Sequence, residues 1–198
     1  MHLVVGLGNP GQEYAGSRHN VGFAVVEELA WRWGLSLGPA RHEMRIVLGV
    51  VAGKHVALIE PQMYMNMSGP ALVGAGQEVD VTQLVAVHDD LDLELGGIRV
   101  KRGGGTAGHR GLRSIVECYG EDFVRVRIGV GRPPGKDAIT YVLSKFNDEE
   151  RETIAAAITR AADAVECIVA EGEERAMNTF NVRTPEGPLA PAESVGRK

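Results

Sequence analysis

The chain has 198 residues, 44% hydrophobic and 24% charged, which suits one domain with one buried core and excludes a disordered or fibrous protein. Its two cysteines, Cys118 and Cys167, form no CxxC pair and offer neither a disulfide framework nor a thiolate metal site. The net charge of −5 speaks against a nucleic-acid partner only on average, because residues 97–136 alone carry +6 and the remainder −11. Such a local basic face suits phosphate, although a merely solvated face would read the same way.

In chain order, Leu3–Leu7 reads as a short buried strand followed by a polar Gly/Pro/Asn loop to Arg18. Val21, Val25, Leu29 and Trp33 recur at helical spacing, with Asn20 as the expected N-cap and Gly34 as the stop. Arg45–Val51 and His55–Ile59 read as two strands joined by a turn at Ala52-Gly53-Lys54. Pro61 opens a methionine-rich loop, and Ser68-Gly69-Pro70 starts a short helix. Leu84–Val87 reads as a fourth strand, ending in His88-Asp89-Asp90, and Ile98–Lys101 and Val124–Val130 as two more. Between these last two, Gly103-Gly104-Gly105 leads to a helix beginning near His109.

The clearest helix is Asp148–Glu171, with Asn147 and Glu150 set for a capping box and Gly172 at its end. Strands interleaved with helices predict a single-domain α/β sandwich on a mixed, largely parallel sheet. The last fifteen residues, with three prolines and two glycines, read as a flexible tail. The first residues lack the basic start of a signal peptide and no stretch is apolar enough to span a bilayer, so a cytoplasmic protein is expected.

Gly6-Leu7-Gly8-Asn9-Pro10-Gly11 matches the dinucleotide-binding GxGxxG pattern directly after a strand. Its context fails. The residues that follow, Gln12 to Arg18, are polar and lack an apolar helical period, and no acidic residue closes a second strand at the required distance. The P-loop, HExxH and GxSxG patterns are absent.

In open α/β sheets the reactive groups gather beyond the carboxyl ends of the strands. Four residues fit: Asn9 after the first strand, Asn66 after the third, Asp89 after the fourth, and His19 at the mouth of the first helix. Each has a plainer reading, as a helix-start histidine, turn or cap amides, and a strand-end acid, and spacing alone does not show that they meet.

Read together, the segments Val5–Gly11, Tyr14 and Arg18-His19-Asn20-Val21-Gly22 resemble the opening of the bacterial-type peptidyl-tRNA hydrolase family. Met65–Gly69, His88–Leu93, Lys101–Gly105, His109-Arg110-Gly111-Leu112 and Arg127–Pro133 resemble further family motifs in the same order. The resemblance spans about residues 1–183, leaving 184–198 as the tail, and implies a single α/β domain around a twisted mixed sheet. It implies an esterase that releases the peptide from peptidyl-tRNA as a monomer, without cofactor or metal. His19 is then the general base that activates water, and Asp89 holds its other ring nitrogen. Asn66 supports the water or the ester carbonyl, and Asn9 helps to separate blocked from free aminoacyl-tRNA. Tyr14 and Tyr64 line the substrate site, with Asn20 behind them. Arg99, Lys101 and Arg127 meet tRNA phosphates. A relative of the same fold that binds RNA without turnover is the second reading. One position departs from the family pattern: Arg110 stands where Asn is usual, replacing a donor-and-acceptor side chain with one that only donates.

Overall fold

The computed structural model describes residues 1–41, 43–74, 80–132, 135 and 137–181. Six strands form one twisted sheet: β1 (His2–Gly6), β2 (Met44–Val51), β3 (Lys54–Pro61), β4 (Leu84–Asp90), β5 (Ile98–Arg102) and β6 (Val124–Gly129). Their order across the sheet is β2-β3-β1-β4-β6-β5. The inner neighbours β3, β1, β4 and β6 run parallel, while β2 and β5 close the two edges antiparallel. The sheet is therefore mixed and largely parallel, as the sequence predicts.

Alternation along the strands explains the two layers of helix. Val4, Val56, Leu58, Val85, Val87, Val126 and Ile128 face one side, where they pack under α1 (Val21–Arg32) and α5 (Asp148–Glu171), with α6 (Glu173–Phe180) beside β5. Leu3, Val5, Ala57, Ile59, Leu84 and Ala86 face the other, under α2 (Ser68–Gly74) and α3 (Arg110–Tyr119). The capping box of α5 forms as expected, with Asn147 and Glu150 exchanging hydrogen bonds at 2.9 Å.

Several sequence expectations need correction. The fourth strand does not stop at Val87; it continues through Asp90 because His88, Asp89 and Asp90 pair in parallel register with Arg127, Ile128 and Gly129. Asn20 occupies the N-cap position of α1 but makes no capping bond, because its side chain is committed to Asn9. The helices α4 (Ala138–Leu143) and α6, and the 3₁₀ turns Arg18–Asn20 and Met65–Met67, were not expected from the pattern. Pro133, Lys136 and the tail at 184–198 lie outside the described residues.

The glycines of the N-terminal pattern have a packing role. A Cβ on Gly6 would stand 2.4 Å from Gly22 O, and one on Gly22 would stand 2.4 Å from Leu7 N and Val87 O. Glycine at both places lets α1 press directly on β1 and β4. This seats the 3₁₀ turn before α1, and His19 with it, over the carboxyl ends of the central strands.

Candidate active site

After β1 the chain turns toward β2 and β3, then crosses back to β4 on the other side, so β1 and β4 flank the point where the strand order reverses. A cleft of about 570 Å³ opens there, and Asn9, Tyr14, His19, Tyr64, Asn66 and Asp89 all line it. The segments that carry them are distant in sequence; the crossover brings them together.

His19 is buried except for its edge on the cleft, and its Nδ1 lies 2.7 Å from Asp89 Oδ1. The carboxylate can only accept, so Nδ1 carries the proton and Nε2 is the nitrogen left to work as a base. The turn bearing His19 is fastened on its far side by Arg18. That guanidinium donates to Glu150 Oε2 at 2.6 Å and lies 4.3 Å from the ring centre of Tyr141 and 4.6 Å from that of Phe146.

The structure adds two histidines that the sequence reading had not singled out. His109 is the N-cap of α3: its Nδ1 accepts the Leu112 N–H at 3.2 Å, which leaves Nε2 to donate to the same Asp89 Oδ1 at 3.0 Å. His88 donates from Nδ1 to the Asp89 carbonyl at 2.8 Å, and its ring meets that of His109 edge-on at 5.0 Å. Burial first, then the electrostatic influence of His109, pushes the His88 imidazole down to about 3, so it stays neutral. Burial alone would raise the Asp89 carboxyl. The electrostatic pull of His109 and the hydrogen bonds from both rings overcome that and hold it well below the usual carboxylate range. Asp89 is thus a fixed anion. A capping histidine before a helix and a second histidine on the strand were the only signals of this cluster available in the sequence.

The donor atoms of His19, Asp89 and His109 lie within 4.8 Å of one another, close enough to consider a metal ion. They are already matched, with two ring N–H groups converging on one carboxylate oxygen, and an ion among them would displace both hydrogen bonds.

Asn9 and Asn20 form a reciprocal pair. Asn9 N donates to Asn20 Oδ1 and Asn20 Nδ2 donates to Asn9 O, both at 2.9 Å. Asn9 Oδ1 in turn accepts the Met65 N–H at 2.8 Å. These contacts fix both amide orientations and leave Asn9 Nδ2 unengaged among the described residues. The turn that begins at Met65 presents Asn66, exposed, at the cleft wall. Tyr64 is also exposed and Tyr14 half-buried. Asn20 itself stands behind the wall, in contact with Asn9, and does not line the cleft.

The basic segment divides. Arg99, Lys101, Arg125 and Arg127 lie at alternate positions on β5 and β6, opposite the face that packs on α5. Arg125 is buried over the Phe123 ring and donates to Gly105 O at 2.6 Å, bracing the glycine loop, and burial lowers its guanidinium from its ordinary value. Arg102 is spent on Glu173 and Asp122. Lys101, Arg110, Arg127 and Arg132 line the cleft; Arg99 does not. Arg127 donates to Asp90 Oδ2 at 2.6 Å, and Arg132 to Asp92 Oδ1 at 2.8 Å. The opposite wall is apolar, built from Leu91 and from Ile139, Val142 and Leu143 of α4.

Comparison with known proteins gives the same assignment from several directions. The family model described as peptidyl-tRNA hydrolase matches residues 3–187. A peptidyl-tRNA hydrolase of Chloroflexus aggregans is 46% identical over 186 residues, covering 91% of this chain and 99% of that relative. One of Mycolicibacterium vanbaalenii is 47% identical, covering 90% and 96%. A crystal structure of the Acinetobacter baumannii peptidyl-tRNA hydrolase is 39% identical with a TM-score of 0.84, covering 91% of this chain and 94% of that one.

Proposed function

The chain belongs to the peptidyl-tRNA hydrolase family, and from that premise and the geometry of the cleft we propose that it hydrolyses the ester joining a peptide to the 3′ end of tRNA. The observation that carries the mechanism is the His19–Asp89 hydrogen bond at 2.7 Å, which fixes the imidazole with Nε2 toward the cleft.

In the reaction, His19 Nε2 takes a proton from water as the water attacks the ester carbonyl. The imidazolium that forms is stabilised by Asp89, which is held ionised by His109. The Asn66 amide supports the developing oxyanion or the water, and Asn9 Nδ2 meets the peptide beside the ester, where a blocked α-nitrogen differs from a free ammonium. The proton on His19 passes to the departing 3′ oxygen. The ester is activated enough for one positioned base to suffice.

Tyr14 and Tyr64 flank the terminal nucleotide, and the peptide runs along Leu91 and α4. Lys101 and Arg127 meet phosphates of the acceptor stem, with Arg99 further out on the same sheet face. Residues 1–183 form the hydrolase domain and 184–198 an appendage. The enzyme works as a monomer in the cytoplasm, and no helix among the described residues is long and apolar enough to cross a membrane.

The test is to incubate the protein with N-acetylated and with free aminoacyl-tRNA and follow amino-acid release. Fast release from the blocked substrate and slow release from the free one is expected. Binding of tRNA without release would instead indicate an RNA-binding relative that has lost turnover.

A further inference from the structure

Arg110 differs from the other arginines of the cleft. Arg127 and Arg132 are held by Asp90 and Asp92, and Arg125 is buried under the glycine loop. Arg110 is exposed, lines the cleft with Tyr64 and Asn66, and has no hydrogen bond or ion pair among the described residues. It occupies the first position of α3, a ten-residue helix, and directly follows His109, whose ring touches Asp89.

Two sources of positive potential therefore meet within one side chain's reach of the reacting centre. One is a guanidinium with all its donors free. The other is the start of α3, where the Leu112 N–H is satisfied by His109 and where His109, Arg110 and Leu112 line the cleft. A free guanidinium is a fork matched to two oxygens of one anion. The hydrolysed ester carries no charge, so the partner must lie elsewhere on the substrate. When the ester carbonyl is at His19, the nearest fixed anion of the tRNA is one ribose away: the phosphate on the 5′ oxygen of the terminal adenosine.

We propose that Arg110 grips this last internucleotide phosphate and makes it a determinant of substrate recognition. The inference rests on the peptidyl-tRNA reading of the same cleft. It assigns a charge contact at a position where an asparagine could offer only a neutral hydrogen bond. The residue is distinct in role from Lys101 and Arg127, whose phosphates belong to the stem.

The test uses two non-hydrolysable amides, 3′-(N-acetylaminoacyl)amido-3′-deoxyadenosine and the same compound bearing a 5′-methyl phosphate, with Kd measured by calorimetry. Wild type should bind the phosphate-bearing amide about tenfold more tightly, as one charge-assisted contact predicts. In Arg110→Asn that ratio should fall below about twofold, and in wild type it should shrink as salt is raised. An equal ratio in the two proteins, no preference in wild type, or no binding of the phosphate-bearing amide at millimolar concentration would overturn the proposal. Because the readout is binding, an Arg110-dependent ratio in a protein inert toward peptidyl-tRNA would sink the hydrolase reading and leave this one standing. Turnover without the ratio would do the reverse.

Discussion

His109 and Asp89 are joined at 3.0 Å through the same carboxylate oxygen that receives His19 at 2.7 Å. One acceptor thus serves two rings that stand 4.9 Å apart, and neither ring holds the full strength of the anion. Removing His109 should leave His19 as the sole ring partner of Asp89. In His109→Gln the acid limb of the kcat/KM profile should move to higher pH, because protonation that disables the base is then better stabilised. An acid limb that does not move would mean His109 serves only to cap α3.

Replacing His19 with Ala should lower kcat by roughly 10²–10⁴-fold with tRNA affinity nearly intact, since losing a general base strikes the chemical step. Asp89→Asn should lose less, because the imidazole remains but is no longer held in one tautomer. Single-turnover rates at saturating enzyme measure both; a His19→Ala rate within threefold of wild type would rule out the mechanism.

For the basic face, Lys101→Ala and Arg127→Ala should each raise KM and reduce the slope of log affinity against log salt by about one. Arg127→Ala should be the more damaging, because it also frees the Asp90 carboxylate that Arg127 now holds at 2.6 Å. Arg99→Ala, lying off the cleft, should have the smallest effect of the three. Filter binding across a salt series with two different tRNAs measures all of these, and identical losses at all three positions would show that the cleft does not set the tRNA track.

A stability prediction concerns Glu60. Its side chain is fully buried, with Oε2 on Arg45 at 2.7 Å and Oε1 without a partner. Burial raises the carboxyl from 4.5 to about 7 against the pull of Arg45, with Glu27 adding to the rise. The folded state therefore keeps a proton that the unfolded chain releases, and this group loses stability as pH climbs from about 4.5 to 7. Glu60→Gln removes that titration. Its Tm relative to wild type should rise between about pH 5 and pH 8, measured by thermal unfolding; a constant difference would mean that Arg45 keeps Glu60 ionised throughout.

Much of this arrangement is legible in the chain alone. The strand alternation, the α5 capping box and the ordered motifs give the sandwich, and the polar residues near strand ends and at the mouth of the first helix give four of the groups at the cleft. What is not legible has physical reasons. Helix α4 spans only Ala138–Leu143, too short for an apolar period to show. Asn20 looks like a cap because a side chain before a helix usually is one, but its amide finds a better match in the backbone of Asn9. Charge counting over residues 97–136 treats Arg102 and Arg125 as surface cations, whereas one is locked in ion pairs and the other is buried. Only the tertiary structure says which cations remain free.

The anchoring of Arg18 by Glu150 carries a consequence for the life of the protein. The two residues are 132 positions apart, and the residue beside Arg18 is His19, the proposed general base. A nascent chain that has emerged as far as β6 already holds every group of the hydrogen-bonded cluster, yet lacks Glu150 and the rings of Tyr141 and Phe146 that clamp the histidine turn. Competence thus arrives late in synthesis, when the start of α5 is free to fold back. A prematurely released fragment would be a hydrolase in composition and idle in practice.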